Sequence, residues 1–453
     1  MALIVLFQVI LGLLTNFSSI APSMSLGFSA VAIPTLKNTL NADQVSWFAG
    51  MASLATPFGC FFSGPIADRF GRRTAIFAIN ITGFIGWMII AMAYYVKKYQ
   101  YALLLLGRLL TGLSTGLCSA PATIYMAEVS SSNLRGDSWG TISLITATLP
   151  CFGMFFALYL VPESPSWLVS KNRLQEAKTN MCKIFGSTTY PSQVESELDS
   201  LIKTKGVKNI TVKKSVLQQF IRKIKYLLKP QCLRPFGLVL TYFFFQQFSG
   251  TFVIVFYAID IVKGAGITLD PYLTIVIIGL IRMVTSVVLS IISKRFGRRP
   301  LSIISGTGMT ICMLMLAVYI LLDGQGQILP QFQGTLTYLP LTLLILYFFT
   351  STLGFLPLPF ALAAEVFPTK IRGTATGLLS GCGYMFNFIT VKVYPDMFDK
   401  MGSHGVFFFY GGVALVGTLF IICFLPETKG KSLQEIQEYF GDRQKKSDRE
   451  EEE

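Results

Sequence analysis

A five-residue run, Arg-Phe-Gly-Arg-Arg, occurs twice in this chain, at positions 69–73 and 295–299, and each copy lies between two long apolar stretches. Two further pairs follow in the same order. The sequence Ala-Glu-Val at 127–129 has a counterpart at 364–366, and Pro-Glu-Ser at 162–164 has a counterpart, Pro-Glu-Thr, at 426–428. Three matches in one order indicate an internal duplication, so we expect two structurally related halves.

Both halves are too apolar for water. Hydrophobic residues make up 52% of the 453 positions, charged residues make up 14%, and the mean hydropathy is +0.57. A helix crosses the hydrocarbon core with about 20 apolar residues, and backbone polar groups in lipid must pair within the element. The sequence therefore predicts an all-α polytopic membrane protein with about eleven spans. They lie near 4–31, 44–63, 75–96, 102–127, 141–161, 234–262, 272–292, 301–322, 335–363, 375–392 and 404–425.

The basic residues indicate how the chain is oriented in the membrane. The formal net charge is +14, but Lys and Arg cluster in alternate loops rather than on one face, which argues against nucleic-acid binding. Short loops rich in Lys and Arg stay in the cytoplasm. We therefore expect the loops at 69–73, 294–299 and 370–372 to be cytoplasmic.

The same pattern divides the chain into four parts. We predict an N-terminal transmembrane bundle at 1–168, a basic cytoplasmic linker with short helices at 169–232, a second transmembrane bundle at 233–425 and a cytoplasmic tail at 426–453. The lipid bilayer is the first expected partner. Neither an enzyme nor a cofactor or metal is expected, because no nucleophile, base and orienting group converge by spacing and no Cys or His cluster has ligand spacing.

Several motifs together resemble one family. The segment 64–73, Gly-Pro-Ile-Ala-Asp-Arg-Phe-Gly-Arg-Arg, is similar to the loop signature of the major facilitator superfamily. Companions at 162–168, 246–250 and 426–430 narrow the resemblance to its sugar porter branch, and the Phe-rich spans look most like the insect facilitated trehalose transporter-like group. The resemblance implies the major facilitator fold, in which two helical bundles rock about a central site for a small-molecule sugar.

Two adjacent glutamines are the main candidates for that site. A sugar hydroxyl both donates and accepts hydrogen bonds, and the carboxamides of Gln246 and Gln247 do the same. Burying such a group without a partner costs about 2–7 kcal/mol, which favours the lining of a water-filled cavity. The resemblance implies that both glutamines and Asn387 bind sugar hydroxyls. The alternative is that they form hydrogen bonds between helices.

The chain also departs from the sugar porter pattern. Phe252 stands where the family usually has an asparagine ligand, Phe360 replaces a tryptophan, and Gly383-Tyr384 replaces Asn-Trp. Phe360 and Tyr384 then line a pocket more apolar than a hexose site, which leaves trehalose, another sugar or a less polar solute open. Tyr257 aligns with a gating aromatic residue of the family, or it is a packing residue.

Two kinds of gate are expected. Pro357 and Pro359 each lack a backbone donor and Gly354 lies nearby, so their span is predicted to be broken or kinked. The break either gates the cavity, as the resemblance implies, or is static. The resemblance also implies a cytoplasmic ion-pair latch. Its members are Asp68, Arg69, Arg73, Glu128 and Arg135 in the first half, and Arg295, Arg299, Glu365 and Arg372 in the second. Gly64, Gly71, Arg72 and Arg298, which lie in the same motifs, are expected to take part in gating with the latch.

The first span carries no carboxylate. Residues 4–31 contain neither Asp nor Glu, whereas a proton-coupled carrier needs a titrating acid within the membrane. We therefore expect a facilitative sugar uniporter of the plasma membrane, with a proton-coupled symporter as one alternative. One charge within a span, Arg282, requires a cavity or a partner.

The duplication also reveals a difference in length. Gly136 and Pro162 are 26 positions apart, whereas the matching Gly373 and Pro426 are 53 positions apart. The first half is therefore about one helix short of the twelve spans that the resemblance implies. A further alternative follows from this, namely a shortened, non-transporting form that acts as a sensor or as a partner of other proteins.

Overall fold

The computed structural model describes residues 20–70, 72–118, 168–169, 173–184, 226–227, 230–264, 267, 269–292, 296–326, 338–367 and 372–427. Every regular element in these ranges is a helix. The first half contains α1 (Ile20–Leu36), α2 (Ala42–Phe70), α3 (Arg72–Tyr95) and α4 (Gln100–Cys118), with a short 3-10 helix, Lys97–Tyr99, before α4. One helix, α5 (Leu174–Ile184), lies between the halves.

The second half contains two broken helices and one very long one. Its elements are α6 (Pro230–Phe248), α7 (Thr251–Phe256), α8 (Ala258–Gly264), α9 (Pro271–Ile292), α10 (Arg298–Gly324), α11 (Leu339–Leu353), α12 (Leu358–Glu365) and α13 (Arg372–Phe424). The 53 residues of α13 comprise two helices joined at Gly402, whose φ of 67° and ψ of 176° are not helical. Glycine adopts such a positive φ without steric cost.

The lengths of these helices fit a membrane. Within the described residues, seven helical stretches are long and apolar enough to cross a bilayer, and one of them, Thr374–Phe424, holds both helices of α13. Two shorter apolar helices are Met24–Leu36 and Leu273–Leu289. The crossing predicted at 141–161 lies outside the described residues.

Close packing of α2 against α4 holds the first half together. Gly112 and Gly116 lie one turn apart on α4, and a Cβ atom at either would fall on a backbone carbonyl oxygen of α2, that of Ala52 or Thr56 respectively. Gly59 of α2 faces the backbone of α4 in the same way. Small residues let helix backbones approach closely in lipid, where no hydrophobic force drives helices together. The contact between α2 and α4 is therefore sensitive to a single added methyl group.

The two halves meet along α2 and α13. At this interface a Cβ atom on Gly50 of α2 would lie 2.9 Å from the ring of Phe388 in α13. Beside it, α7 and α8 pack against α1, while α6 packs along α13. The helices that carry Gln246, Gln247 and Asn387 are thus held close to the boundary between the halves.

Candidate functional site

The candidate site adjoins a break in a membrane helix. α6 ends at Phe248, and Ser249 and Gly250 form a turn before α7 begins. Gly250 has a φ of 89°, which a residue with a side chain rarely adopts, and a Cβ atom there would also collide with the ring of Tyr410. Gln246 therefore lies in the last turn of α6, next to backbone groups that a continuous helix would have paired.

The side chains of Gln246, Gln247 and Asn387 form one hydrogen-bonded chain. Asn387 Nδ2 donates to Gln247 Oε1 at 3.0 Å, and Gln247 Nε2 donates to Gln246 Oε1 at 3.2 Å. All three residues are buried, with Gln246 and Asn387 at 0% and Gln247 at 2% exposure. The structure thus brings together the three amides that the sequence singled out.

This chain of amides is anchored at both ends. Ser53 of α2 donates to Asn387 Oδ1 at 2.6 Å, and Gln246 Nε2 donates to the carbonyl oxygen of Leu356. We call Ser53, Asn387, Gln247 and Gln246 the amide chain. Its first bond joins the two halves of the protein, and each amide in it both donates and accepts. A polar ligand must therefore replace internal hydrogen bonds with its own.

The other predicted site residues are aromatic and lie in the same half. Phe360 packs edge-on against Phe243 of α6, with ring centroids 4.8 Å apart. Tyr384, one turn before Asn387, is buried. The hydroxyl of Tyr257 donates to the carbonyl oxygen of Val391 at 3.3 Å, so this residue connects the broken helix to α13.

At the end opposite the arginine-rich loops, here called the outer end, charged pairs join the halves. Lys392 of α13 pairs with Asp43 at the start of α2 at 2.5 Å, and its ammonium group lies 4.7 Å from the ring centroid of Trp47. Lys37, just after α1, pairs with Asp260 of α8 at 2.9 Å. The structure therefore shows a conformation whose outer ends are in contact.

A second break interrupts the span that was predicted to bend. A turn at 354–357 separates α11 from α12, with Pro357 at its end and Pro359 just beyond it. Gly354 lies so close to α10 that a Cβ atom there would be 2.6 Å from the carbonyl oxygen of Leu301. The predicted break is confirmed, and its role as a gate stays a prediction.

Most of the predicted cytoplasmic latch falls outside the described part of the structure. Gly71, Glu128, Arg135 and Arg295 lie outside it altogether. Seven other predicted gating residues have a helical backbone, but their side chains are outside the described part of the structure. They are Gly64, Asp68, Arg69, Arg72, Arg73, Glu365 and Arg372.

The last two predicted gating residues, Arg298 and Arg299, begin α10. They share a partner that the sequence did not predict. Their backbone N–H groups donate to the two carboxylate oxygens of Glu427, at 2.9 and 3.1 Å. A carboxylate at a helix N-terminus satisfies unpaired donors and interacts favourably with the helix dipole. Glu427 belongs to the repeated Pro-Glu-Thr motif, a signal that marked the residue but did not identify its partners.

Two arginines in the described part of the spans are buried. The guanidinium of Arg282 lies 5.4 Å from the ring centroid of Phe348. Arg108 of α4, which sequence reasoning did not single out as a site, is 0% exposed and donates to Ser29 Oγ at 2.8 Å and to carbonyl oxygens of α1 and α2. The sequence contained a signal for this buried charge, because Arg108 lies inside an apolar span, where a charged side chain requires a partner.

Two apolar helical halves with broken helices around a buried polar centre are an arrangement that membrane transporters use. The model of the sugar (and other) transporter family matches this chain at residues 5–148 and 137–440. The chain belongs to this family, which is a family of transporters and not of enzymes. The two matched stretches meet in the interval where the first half is shorter than the second.

Curated relatives include insect proteins named facilitated trehalose transporter Tret1. The relative from Bombyx mori is 30% identical over 454 residues, which cover 94% of this chain and 86% of the relative. The relative from Drosophila pseudoobscura pseudoobscura is 28% identical over 459 residues, which cover 95% of this chain and 51% of the relative. The chain thus spans about half the length of several curated relatives that it matches.

Solved structures confirm the predicted major facilitator fold. The inward open conformation of the xylose transporter XylE from E. coli has a TM-score of 0.73 at 19% identity, covering 94% of this chain and 98% of that chain. The proton:xylose symporter XylE bound to 6-bromo-6-deoxy-D-glucose has a TM-score of 0.67 at 20% identity, covering 95% and 99%. At these identities the likeness shows the fold alone.

Proposed function

We propose that this protein is a facilitative sugar carrier of the plasma membrane that works by alternating access. The observation that carries the proposal is the amide chain, which is buried at the boundary between the halves and connects them through Ser53 and Asn387. A sugar hydroxyl can take the place of either partner of an amide, because both groups donate and accept. The same residues therefore bond to each other when the carrier is empty and bind the sugar when the carrier is loaded.

Trehalose is the first candidate substrate, and a hexose is the second. Curated relatives at 28–30% identity are named for trehalose. Phe252, Phe360 and Tyr384 add apolar surface on the same half as Gln246 and Gln247, and the C–H faces of a sugar ring pack well against such surface.

We propose downhill transport on the basis of the surroundings of Arg108. Its hydrogen-bond partners in the described residues are Ser25, Ser29 and the backbone carbonyls of Phe48 and Ala49. A proton-coupled carrier needs a titrating acid at such a depth, and residues 4–31 contain none. Neutral partners for this charge support uniport over symport.

The gates in this proposal are the two helix breaks and the arginine-rich loops. The turn at 249–250 allows α7 and α8, with Tyr257 between them, to move against α1 at the outer end. The turn at 354–357, with Pro357 and Pro359, allows α12 to move at the other end. The predicted ion-pair latch then closes the cytoplasmic side.

One observation favours a second candidate, a non-transporting form. Gly136 and Pro162 are 26 positions apart, whereas the matching Gly373 and Pro426 are 53 positions apart. The shorter interval leaves room for one membrane crossing instead of two. A chain without one of its usual helices can lose transport and keep the ability to bind sugar or another protein.

Uptake of radiolabelled trehalose and glucose into proteoliposomes that contain the purified full chain tests these proposals. We expect saturable uptake that is unchanged when the proton gradient is collapsed. Gln247→Leu is expected to raise the half-saturation concentration about five- to thirtyfold, since it removes one or two hydrogen bonds to the sugar.

Gln175→Leu is the matched control for this experiment. It removes the same amide from the exposed face of α5 and is expected to leave uptake at the level of the unsubstituted protein. Folding of each variant is checked by thermal unfolding. A folded protein that takes up neither sugar would support the non-transporting form, and uptake that requires a proton gradient would support symport.

A further inference from the structure

The two broken helices of the second half are tied to each other by side chains. At the first break, the carbonyl oxygen of Ser249 accepts a hydrogen bond from the hydroxyl of Tyr347 on α11, at 2.9 Å. At the second break, the carbonyl oxygen of Leu356 accepts a hydrogen bond from Gln246 on α6. Each broken helix therefore supplies the donor for a carbonyl in the turn of the other. We call these two hydrogen bonds the cross-bonds.

Both cross-bonds are shielded from water. Tyr347, Gln246 and Ser249 are buried, and the Tyr347 hydroxyl also lies 2.9 Å from Thr251 Oγ1 on the far side of the first turn. A buried carbonyl that loses its donor carries the full cost of an unpaired polar group. The two turns therefore hold their present shape as long as the cross-bonds remain.

Only one of the cross-bonds involves a proposed sugar ligand. The Tyr347 hydroxyl is committed to Ser249 and Thr251 at the first break. Gln246, in contrast, belongs to the amide chain and has no exposed surface, so a sugar reaches its amide only by displacing a neighbour. Those neighbours are Gln247, which donates to Gln246 Oε1, and Leu356, whose carbonyl oxygen accepts from Gln246 Nε2.

We propose that Gln246 is a positioning residue that couples sugar binding to the bend between α11 and α12. In the empty carrier its amide holds the turn at 354–357 through Leu356. When sugar binds, the amide turns to the sugar and releases the turn, which is then free to bend. This inference rests on the proposed function, since it requires a sugar at Gln246.

The coupling predicts different rates for the empty and the loaded carrier. The empty carrier must break the bond from Gln246 to Leu356 before the halves rock, whereas the loaded carrier has already exchanged it for a bond to sugar. One net hydrogen bond corresponds to a rate difference of about two- to tenfold. We therefore expect equilibrium exchange of labelled trehalose to be faster than net efflux into sugar-free buffer by that factor, because only net efflux requires the empty carrier to return.

The experiment compares maximal rates of exchange and net efflux in proteoliposomes for three variants. Gln246→Met keeps the side-chain length but removes the donor, and its exchange-to-efflux ratio is expected to fall to about one. Gln246→Asn keeps the amide on a side chain that is one methylene too short to reach Leu356, so its exchange-to-efflux ratio is expected to fall in the same way. This second variant tests the coupling if Gln246→Met does not fold. Gln247→Met is the matched control, because it weakens affinity but leaves the Leu356 bond in place, and it should keep the original ratio.

The contrary results distinguish a failure of the proposed coupling from a failure of the proposed sugar site. If the Gln246 variants bind sugar more weakly but keep the original ratio, or if the unsubstituted protein has a ratio of one, the coupling is wrong and the sugar site stands. If no Gln246 or Gln247 variant changes the half-saturation concentration, sugar does not bind at these amides, and the coupling falls together with the proposed function.

Discussion

One methyl group at position 116, in the variant Gly116→Ala, is expected to destabilise the first half severely. The new Cβ atom would fall on the carbonyl oxygen of Thr56 in α2. The positions of both atoms are fixed by helix backbones, so no side-chain rotation can relieve the clash. Overpacking costs about 1–3 kcal/mol where side chains adjust, and more where backbones must shift. Thermal unfolding in detergent should show a lower melting temperature and a smaller folded fraction.

Gly412→Ala in α13 is the matched control, because a Cβ atom there has no neighbour within 4 Å. Alanine is favoured over glycine inside a helix by up to about 1 kcal/mol, so this variant should melt at the same or a higher temperature. Equal melting of Gly116→Ala and the unsubstituted protein would show that α2 and α4 do not approach as closely as the structure indicates.

Arg108→Lys is expected to destabilise the protein more than Arg108→Met does, although lysine keeps the charge. The guanidinium reaches Ser29 Oγ at 2.8 Å and the carbonyl oxygens of Ser25, Phe48 and Ala49 at the same time. An ammonium group is a compact donor on a flexible stem and cannot donate to all of these oxygens at once. An under-coordinated buried charge costs about 3–5 kcal/mol, whereas methionine buries no charge.

The measurement for Arg108 is again thermal unfolding, together with the yield of folded protein in membranes. Arg234→Lys is the control, since Arg234 is an exposed arginine near the start of α6, and no change is expected there. If Arg108→Lys proves as stable as the unsubstituted protein, the guanidinium does not cross-link α1, α2 and α4 in the way described.

The helix breaks show how much of the site local sequence could predict. Pro357 and Pro359 remove backbone donors wherever they lie, so the break between α11 and α12 was predictable without any knowledge of neighbours. The turn at Gly250 was not predicted, because a glycine in an apolar span also fits a continuous helix. Only the structure shows that its φ is positive and that the ring of Tyr410 lies against it.

The amides illustrate the limit of such reasoning. The sequence pointed to Gln246, Gln247 and Asn387, and left open whether they line a cavity or bond to each other. The structure shows that they bond to each other and to Ser53. Glu427 and the outer ion pairs were not predicted, because their partners lie on other helices and leave no periodic signal in the chain.

By itself the sequence indicated a duplicated, helical membrane protein with a broken helix near Pro357, and its motifs carried the resemblance to the sugar porters. The duplication, the spans and the break need no comparison with other proteins. These properties depend on hydropathy, repeats and backbone chemistry, which are local and can be read in order along the chain. Only the tertiary structure decided that Gln246 bonds to a carbonyl 110 positions away, and that Arg108 donates to neutral oxygens of α1 and α2. Hydrogen bonds between helices depend on distances of about 3 Å between distant segments, and those distances exist only once the helices have packed.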